Sequence, residues 1–202
     1  MTLPANNIIF QTKNVSKTFY VKSQDVTVLK NIDMVVNTSE FLVIFGPSGC
    51  GKSTLLHTIL GLEPPTQGHV LFLGKYLYQD YDEDGRSTLR KRHIGMVYQQ
   101  PNWVKSLTVK ENIMVPLRLS GVSAQEAKAK AEEVLKLVEM VDWQDYVPTE
   151  LSSGQQQKVA LARAVVTNPD VLIADEPTGN LDFESGQELM NLLSVLHKNG
   201  KT

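Results

Sequence analysis

The chain has 202 residues, 42% of them hydrophobic and none in a low-complexity tract, which is enough for a full core and reads as one globular domain. Its net charge of −2 argues against a nucleic-acid binder built on bulk charge, and a single cysteine, Cys50, excludes an internal disulfide or a cysteine-built metal site. No apolar run reaches the roughly 18 residues of a membrane span, and the first residues, Met1 to Asn7, carry neither a basic nor an apolar leader, so a soluble, cytosolic protein is expected.

From Ile8 to Val21, and again from Val26 to Val36, apolar and polar residues alternate, which predicts a pair of antiparallel strands. The run Phe41 to Phe45 is apolar throughout and reads as a strand buried on both faces. It empties into Gly46-Pro47-Ser48-Gly49-Cys50-Gly51-Lys52-Ser53-Thr54, which matches G-x-x-x-x-G-K-S/T in full and opens a helix over Lys52 to Leu60. Gly68 to Leu73 predicts another strand, followed by a polar tip from Gln79 to Gly85. The cations Arg86, Arg90, Lys91 and Arg92 then read as a solvated helix face, because acidic residues flank them.

After a strand from Ile94 to Tyr98 the β signals vanish between Pro101 and about Asn168. In that interval Ser123 and Glu126 form a capping box, with Ala127, Ala131, Val134, Leu135, Val138 and Val141 on one helical stripe. This predicts an inserted helical lobe. A short apolar strand, Val171 to Ala174, returns and delivers Asp175-Glu176-Pro177 at its carboxyl end. Asp182 then caps a last helix carrying Leu189, Leu192, Leu193 and Leu196, and Gly200 stops it.

Three stretches carry chemistry. In the first, Gly46, Gly49 and Gly51 allow positive φ, so backbone N–H groups can curl around phosphate in front of a helix N-terminus. Lys52 then reaches the β- and γ-phosphates of a nucleotide, and the Ser53 hydroxyl suits magnesium. In the second, Asp175 can hold that magnesium through its water shell while Glu176 orients and deprotonates the attacking water. The third, Leu151 to Lys158, opens a helix through the box Ser152-x-x-Gln155, for which a plain cap is the ordinary reading.

Taken together, Leu151 to Gln157, Ala160 to Ala164 and Asp175 to Asp182 resemble the ATP-binding subunit of an ABC transporter, and the resemblance covers essentially the whole chain. It implies an α/β fold with a P-loop NTPase (RecA-like) core and a mostly parallel sheet. To that core the family adds an N-terminal antiparallel β-subdomain and an inserted α-helical subdomain, the latter falling at 101–168, with 1–100 and 169–202 forming the rest. It implies that ATP contacts Gly46, Pro47, Ser48, Gly49, Cys50, Gly51, Lys52, Ser53 and Thr54, with Phe19 against adenine and Tyr20 as the alternative. Gln99 then matches the glutamine that touches magnesium and the attacking water, with Gln100 as the alternative. Metal contacts fall to Ser53, Gln99 and Asp175, and catalysis to Glu176, Lys52 and Gln99.

The resemblance further implies that Ser152, Ser153, Gly154 and Gln155 cover the γ-phosphate held by a second copy of the chain, and that Asp182 lies in a loop crossing this dimer interface. The cofactors implied are ATP and magnesium. The partners are the second copy and an integral-membrane permease, with no nucleic acid, which places the chain on the cytoplasmic face of the cell membrane. Within the family, Thr108 to Leu117 and Glu176 to Asp182 look most like the lipoprotein-release, macrolide-export and cell-division group. A soluble ABC-type ATPase acting on ribosomes or DNA is the alternative. A P-loop kinase is a third class, which would not need residues 151–157.

Two departures qualify the resemblance. Ser153 stands where the family usually has glycine, a cost of about 1 kcal/mol if φ there must be positive. The family also continues with a strand ending in a histidine that contacts the γ-phosphate. His57, His69, His93 and His197 all lie outside that context, so the C-terminal part of the family fold is expected to be missing.

Overall fold

The computed structural model describes residues 7–21 and 24–202. The chain divides into two compact units, one reaching to Thr88 and taking in Thr202, the other running Leu89–Lys201.

In the first unit the alternating patterns form the expected antiparallel pair, β1 (Ile8–Val21) and β2 (Gln24–Asn37). With β3 (Gln67–Phe72) and β4 (Lys75–Tyr76) they make a four-stranded sheet in the order β2-β1-β3-β4. The β1–β2 register shifts between Thr12 and Val15, and Asn14 and Asn31 take φ values of 50° beside the irregularity. The helix α1 (Lys52–Ile59) packs on β2 and β3, burying Leu55 and Ile59. Phe10 and Phe72, both fully buried, stack across β1 and β3 with ring centroids 4.8 Å apart.

One strand expected from the sequence does not form. No strand is assigned over 41–45, and the apolar side chains there, apart from half-buried Ile44, are exposed, Phe45 to 89%. A strand needs a neighbour to share its ladder, and neither sheet formed by the described residues includes this run. Apolar composition lends the stretch its β character, but only a flanking strand could have buried it.

The cations of α2 (Glu83–His93) divide. No residue of this helix is buried, as a solvated helix should be, yet Arg86 is tied down. Its guanidinium donates to the carbonyls of Gly61 and Tyr81, at 3.1 and 2.8 Å, and pairs with Glu83. Arg86 therefore closes the turn after α1 and is not part of a free cationic face.

The second unit pairs β5 (Ile94–Val97) in parallel with β6 (Val171–Ala174). α5 (Ser153–Val165) lies against β5, while α3 (Val109–Leu119), α4 (Ala124–Leu137) and α6 (Phe183–Lys198) pack on α5. The helical stretch expected at 101–168 thus shares its compact unit with both parallel strands and α6.

The stripe from Ala127 onward faces α3 and α5 as its spacing predicts, except that Val141 falls beyond α4 and is 38% exposed. At the start of α4 the Ser123 hydroxyl accepts from the Glu126 amide at 3.2 Å. The loop before α3 hangs on one buried side chain: Asn112 accepts from Val104 N–H and donates to the carbonyls of Val104, Leu107 and Thr108. All its polar capacity is met inside the core.

Candidate functional site

The glycine loop of the first unit has the properties of an anion cradle. Residues 46–50 are solvent-exposed. Gly49 stands at φ 79°, and a Cβ added to it would meet no atom within 4 Å, so the space in front of its backbone is open. Gly51, the N-cap of α1, sits at φ 100°, where a Cβ would fall 3.0 Å from the Val28 carbonyl, so both strain and sterics demand glycine there. No side chain caps α1 and no acid occupies its first turn, so nothing in the cap competes with an incoming anion.

Lys52 donates from Nζ to the carbonyls of Gly46 and Pro47 at 3.0 and 3.2 Å, holding the ammonium within the loop. Gly46 departs from expectation, because it does not take positive φ. A Cβ there would lie 2.5 Å from Cys50 Sγ, so a side chain at 46 would turn the Cys50 thiol aside. In the same unit Phe19 is half-buried with the Lys17 ammonium 5.0 Å from its ring centroid, whereas Tyr20 is 73% exposed. Lys17 is itself held by Glu63 and by the Pro64 carbonyl.

In the second unit β6 delivers the acid pair as its sequence predicts. The Asp175 amide donates to Val97 O at 2.9 Å, extending the parallel ladder by one residue and leaving the carboxylate at the strand's end. Glu176 turns there with φ 45°, a left-handed conformation that a non-glycine residue holds at a cost of about 1–2 kcal/mol. Gly179 N–H closes the turn onto Glu176 O at 3.0 Å.

Gln99 reaches this same turn: its Nε2 is 2.8 Å from where a Cβ on Gly179 would lie. A side chain at 179 would displace it. The structure therefore brings the Gln99 amide beside the Glu176 turn, and both Gln99 and Gln100 are exposed on the loop.

The start of α5 is a complete capping box. Ser152 Oγ accepts from Gln155 N–H at 3.3 Å, and Gln155 Oε1 accepts from Ser152 N–H at 3.0 Å. The amides of Ser153 and Gly154 fall before the first intrahelical bond, from Gln156 N–H to Ser152 O. Ser153 occupies the first helical position without positive φ, so the strain expected for serine there is absent.

Gly154 is buried because α6 starts against it, with a Cβ there falling 2.6 Å from Ser185 Oγ. Ser185 in turn donates its amide and its hydroxyl to Asp182, both at 2.9 Å. These two bonds, the amide first, hold the Asp182 carboxyl below the ordinary carboxylate range. Two helix N-termini thus meet, one capped by Ser152 and the other by Asp182.

Sequence reasoning missed the residues that secure the loop after β5. Gln157 is buried and donates from Nε2 to Tyr98 O and Gln99 O, at 3.1 and 2.8 Å. Arg163 donates to Asn102 O at 2.7 Å and stacks 4.5 Å from the Trp103 ring, and burial lowers its pKa. Trp103 Nε1 donates to Gln156 Oε1 at 3.0 Å. The only sequence signal was three consecutive glutamines entering a helix, one of which must face the core.

A family model described as ABC transporter matches residues 29–179. The chain belongs to this family of ATPases. It is 39% identical to the lipoprotein-releasing system ATP-binding protein LolD of Legionella pneumophila (strain Paris), over 98% of this chain and 86% of that one. It is 37% identical to the macrolide export ATP-binding/permease protein MacB 2 of Yersinia pestis, over 96% of this chain but only 29% of that larger protein. Among solved structures, the dimeric ABC transporter cassette MJ0796 of Methanocaldococcus jannaschii superposes with a TM-score of 0.87 at 39% identity, over 96% of this chain and 85% of that one. The same cassette is also known as a post-hydrolysis dimer bound to ADP and Pi. The α/β fold, with its antiparallel subdomain, parallel strands and helices, is that of the ABC cassette.

Proposed function

We infer that this chain is the ATP-binding and ATP-hydrolysing subunit of a transporter, working as a head-to-tail dimer that drives a membrane permease. The observation that carries this reading is the open glycine loop in front of an uncapped helix, with Lys52 held inside it. Loop amides and Lys52 bind the β- and γ-phosphates, and Phe19 offers its ring to the adenine.

Ser53, in the first unit, and Asp175, in the second, each offer a hard oxygen of the kind magnesium takes. A hydroxyl, a carboxylate and phosphate oxygens make its usual hard-oxygen set, which needs no cluster of protein acids, and the described residues contain none. Bound to such oxygens, the metal would neutralise charge on the phosphates. Glu176, set at the β6 end by its left-handed turn, accepts the proton of the attacking water, and Gln99 beside it orients that water. Ser152, Ser153, Gly154 and Gln155 cover the γ-phosphate of the nucleotide on the second copy, and Asp182 lies at that junction. Support comes from the dimeric form of MJ0796 and its ADP and Pi complex.

No helix among the described residues is long and apolar enough to cross a membrane. The permease reading rests on the likeness to LolD and MacB 2, and it places the chain on the cytoplasmic face of the cell membrane. The test is Glu176→Gln. Removing a general base costs about 10²- to 10⁴-fold in kcat, while ATP binding and ATP-dependent dimerisation persist. Unchanged turnover, or a monomer at saturating ATP by light scattering, would overturn the reading.

A further inference from the structure

Gln157 is a polar side chain that the mechanism above does not use, and its environment is unusual. It is 3% exposed, and its Oε1 is the one buried side-chain acceptor among the described residues that finds no donor. Its Nε2, by contrast, spends both hydrogens on consecutive main-chain carbonyls, Tyr98 O and Gln99 O. A leucine of similar size would fill the same space without an unmatched oxygen, so the amide is kept for what its nitrogen does. What it does is fix the main chain at the residue whose side chain lies against Gly179 and the Glu176 turn.

The far end of the same loop is also held by α5, through Arg163 on Asn102 O and Gln156 on Trp103 Nε1. Gln157 and Gln156 follow Ser152–Gln155 directly on one rigid helix. A displacement of the α5 N-terminus must therefore carry the Gln99 backbone with it, since a helix transmits motion along its axis without bending over one turn.

We propose that Gln157 is a positioning residue for Gln99: its amide locks the main chain at the β5 end to α5, so that the Gln99 side chain and the Ser152–Gln155 cap keep one mutual geometry. The proposal rests on the assignment of Gln99 and Glu176 to the reacting phosphate. It locates the link between cap and water-orienting glutamine in a single side chain. Gln157 touches no substrate; it acts through Gln99 alone.

The experiment is a double-mutant cycle on the complete chain with magnesium and ATP, using Gln99→Ala, Gln157→Leu and the pair. Gln157→Leu should lower kcat about tenfold while the Kd for a fluorescent ATP analogue stays within twofold. In the Gln99→Ala background it should cost less than a further twofold. Equal losses in both backgrounds would mean an independent packing role and overturn the proposal. So would a Kd that worsens in step with kcat.

Gln157→Glu keeps the side chain's shape and sets a carboxylate against the two carbonyls, and it serves if the leucine variant unfolds. In either variant, amide hydrogen exchange should quicken across 99–103 while the interior of α5 is unchanged, and unaltered exchange at 99–103 overturns the proposal. A Gln99→Ala variant with parental kcat removes the assignment of Gln99, and the positioning role falls with it. Failure of Glu176→Gln to stop turnover, with the cycle still non-additive, would instead displace the general base and leave the coupling intact.

Discussion

The glycine loop at 46–51 and the loop at 98–103 are both irregular segments that follow apolar runs, yet they are held in opposite ways. The first stands exposed on its own backbone, shaped by left-handed φ at Gly49 and Gly51 and by a lysine folded onto its carbonyls. The second is gripped from outside by Gln156, Gln157 and Arg163, all on one helix. An anion cradle must keep its donors turned toward solvent, so its geometry has to come from within. A loop that places one side chain beside an acid needs its main chain fixed, and only a neighbouring element can do that.

The contrast is open to test by substitution, because damage to the gripped region should appear as lost stability and damage to the cradle as lost binding. The largest stability effect is expected at Gly95, in β5 just before the gripped loop. A Cβ there would lie 2.2 Å from the Ala164 carbonyl of α5, and backbone cannot yield cheaply. Gly95→Ala should cost about 2–3 kcal/mol in urea unfolding. A parental midpoint would show that α5 and β5 are not closely packed.

Lys52→Ala should do the reverse. On its proposed role at the phosphates, losing the Lys52 charge is worth about 1.5–3 kcal/mol, or roughly 10- to 150-fold in Kd for ATP. The unfolding midpoint should stay put, and a large drop would mean that the lysine holds the loop together structurally. Trp103→Phe removes the bond to Gln156 Oε1 and should cost about 1 kcal/mol of stability with nucleotide affinity unchanged.

The smallest effect concerns pH. Because the Asp182 carboxyl titrates lower in the folded chain, its cap adds stability above the unfolded carboxyl's pKa and loses it as pH falls through the lowered value. Asp182→Asn keeps a cap oxygen without a titrating group. The difference in stability from the parent should be present at neutral pH and close in strong acid, and a difference that persists in acid would point to a cause other than the carboxylate.

Much of this was legible in residue order. Spacing alone located α1, the β1–β2 pair, the caps at Ser123, Ser152 and Asp182, and the delivery of Asp175 and Glu176 by β6, because each depends on residues within a turn or a strand of one another. Phe41 to Phe45 read as a buried strand for the same local reason, and there locality misled: burial belongs to the partner strand, which composition cannot supply.

By itself the sequence determined the chemistry that a short segment can carry, namely a glycine loop able to turn left-handed, a lysine and serine at a helix start, and an acid pair ending an apolar strand. Only the tertiary structure decided that Ser153 is unstrained, that Gly46 sits against the Cys50 sulfur, and that Gln157 faces two carbonyls 58 and 59 residues away. Backbone propensity acts over a few residues and can be read in order. Which polar group a buried amide must satisfy is settled by packing between segments far apart in the chain, and no local pattern encodes it.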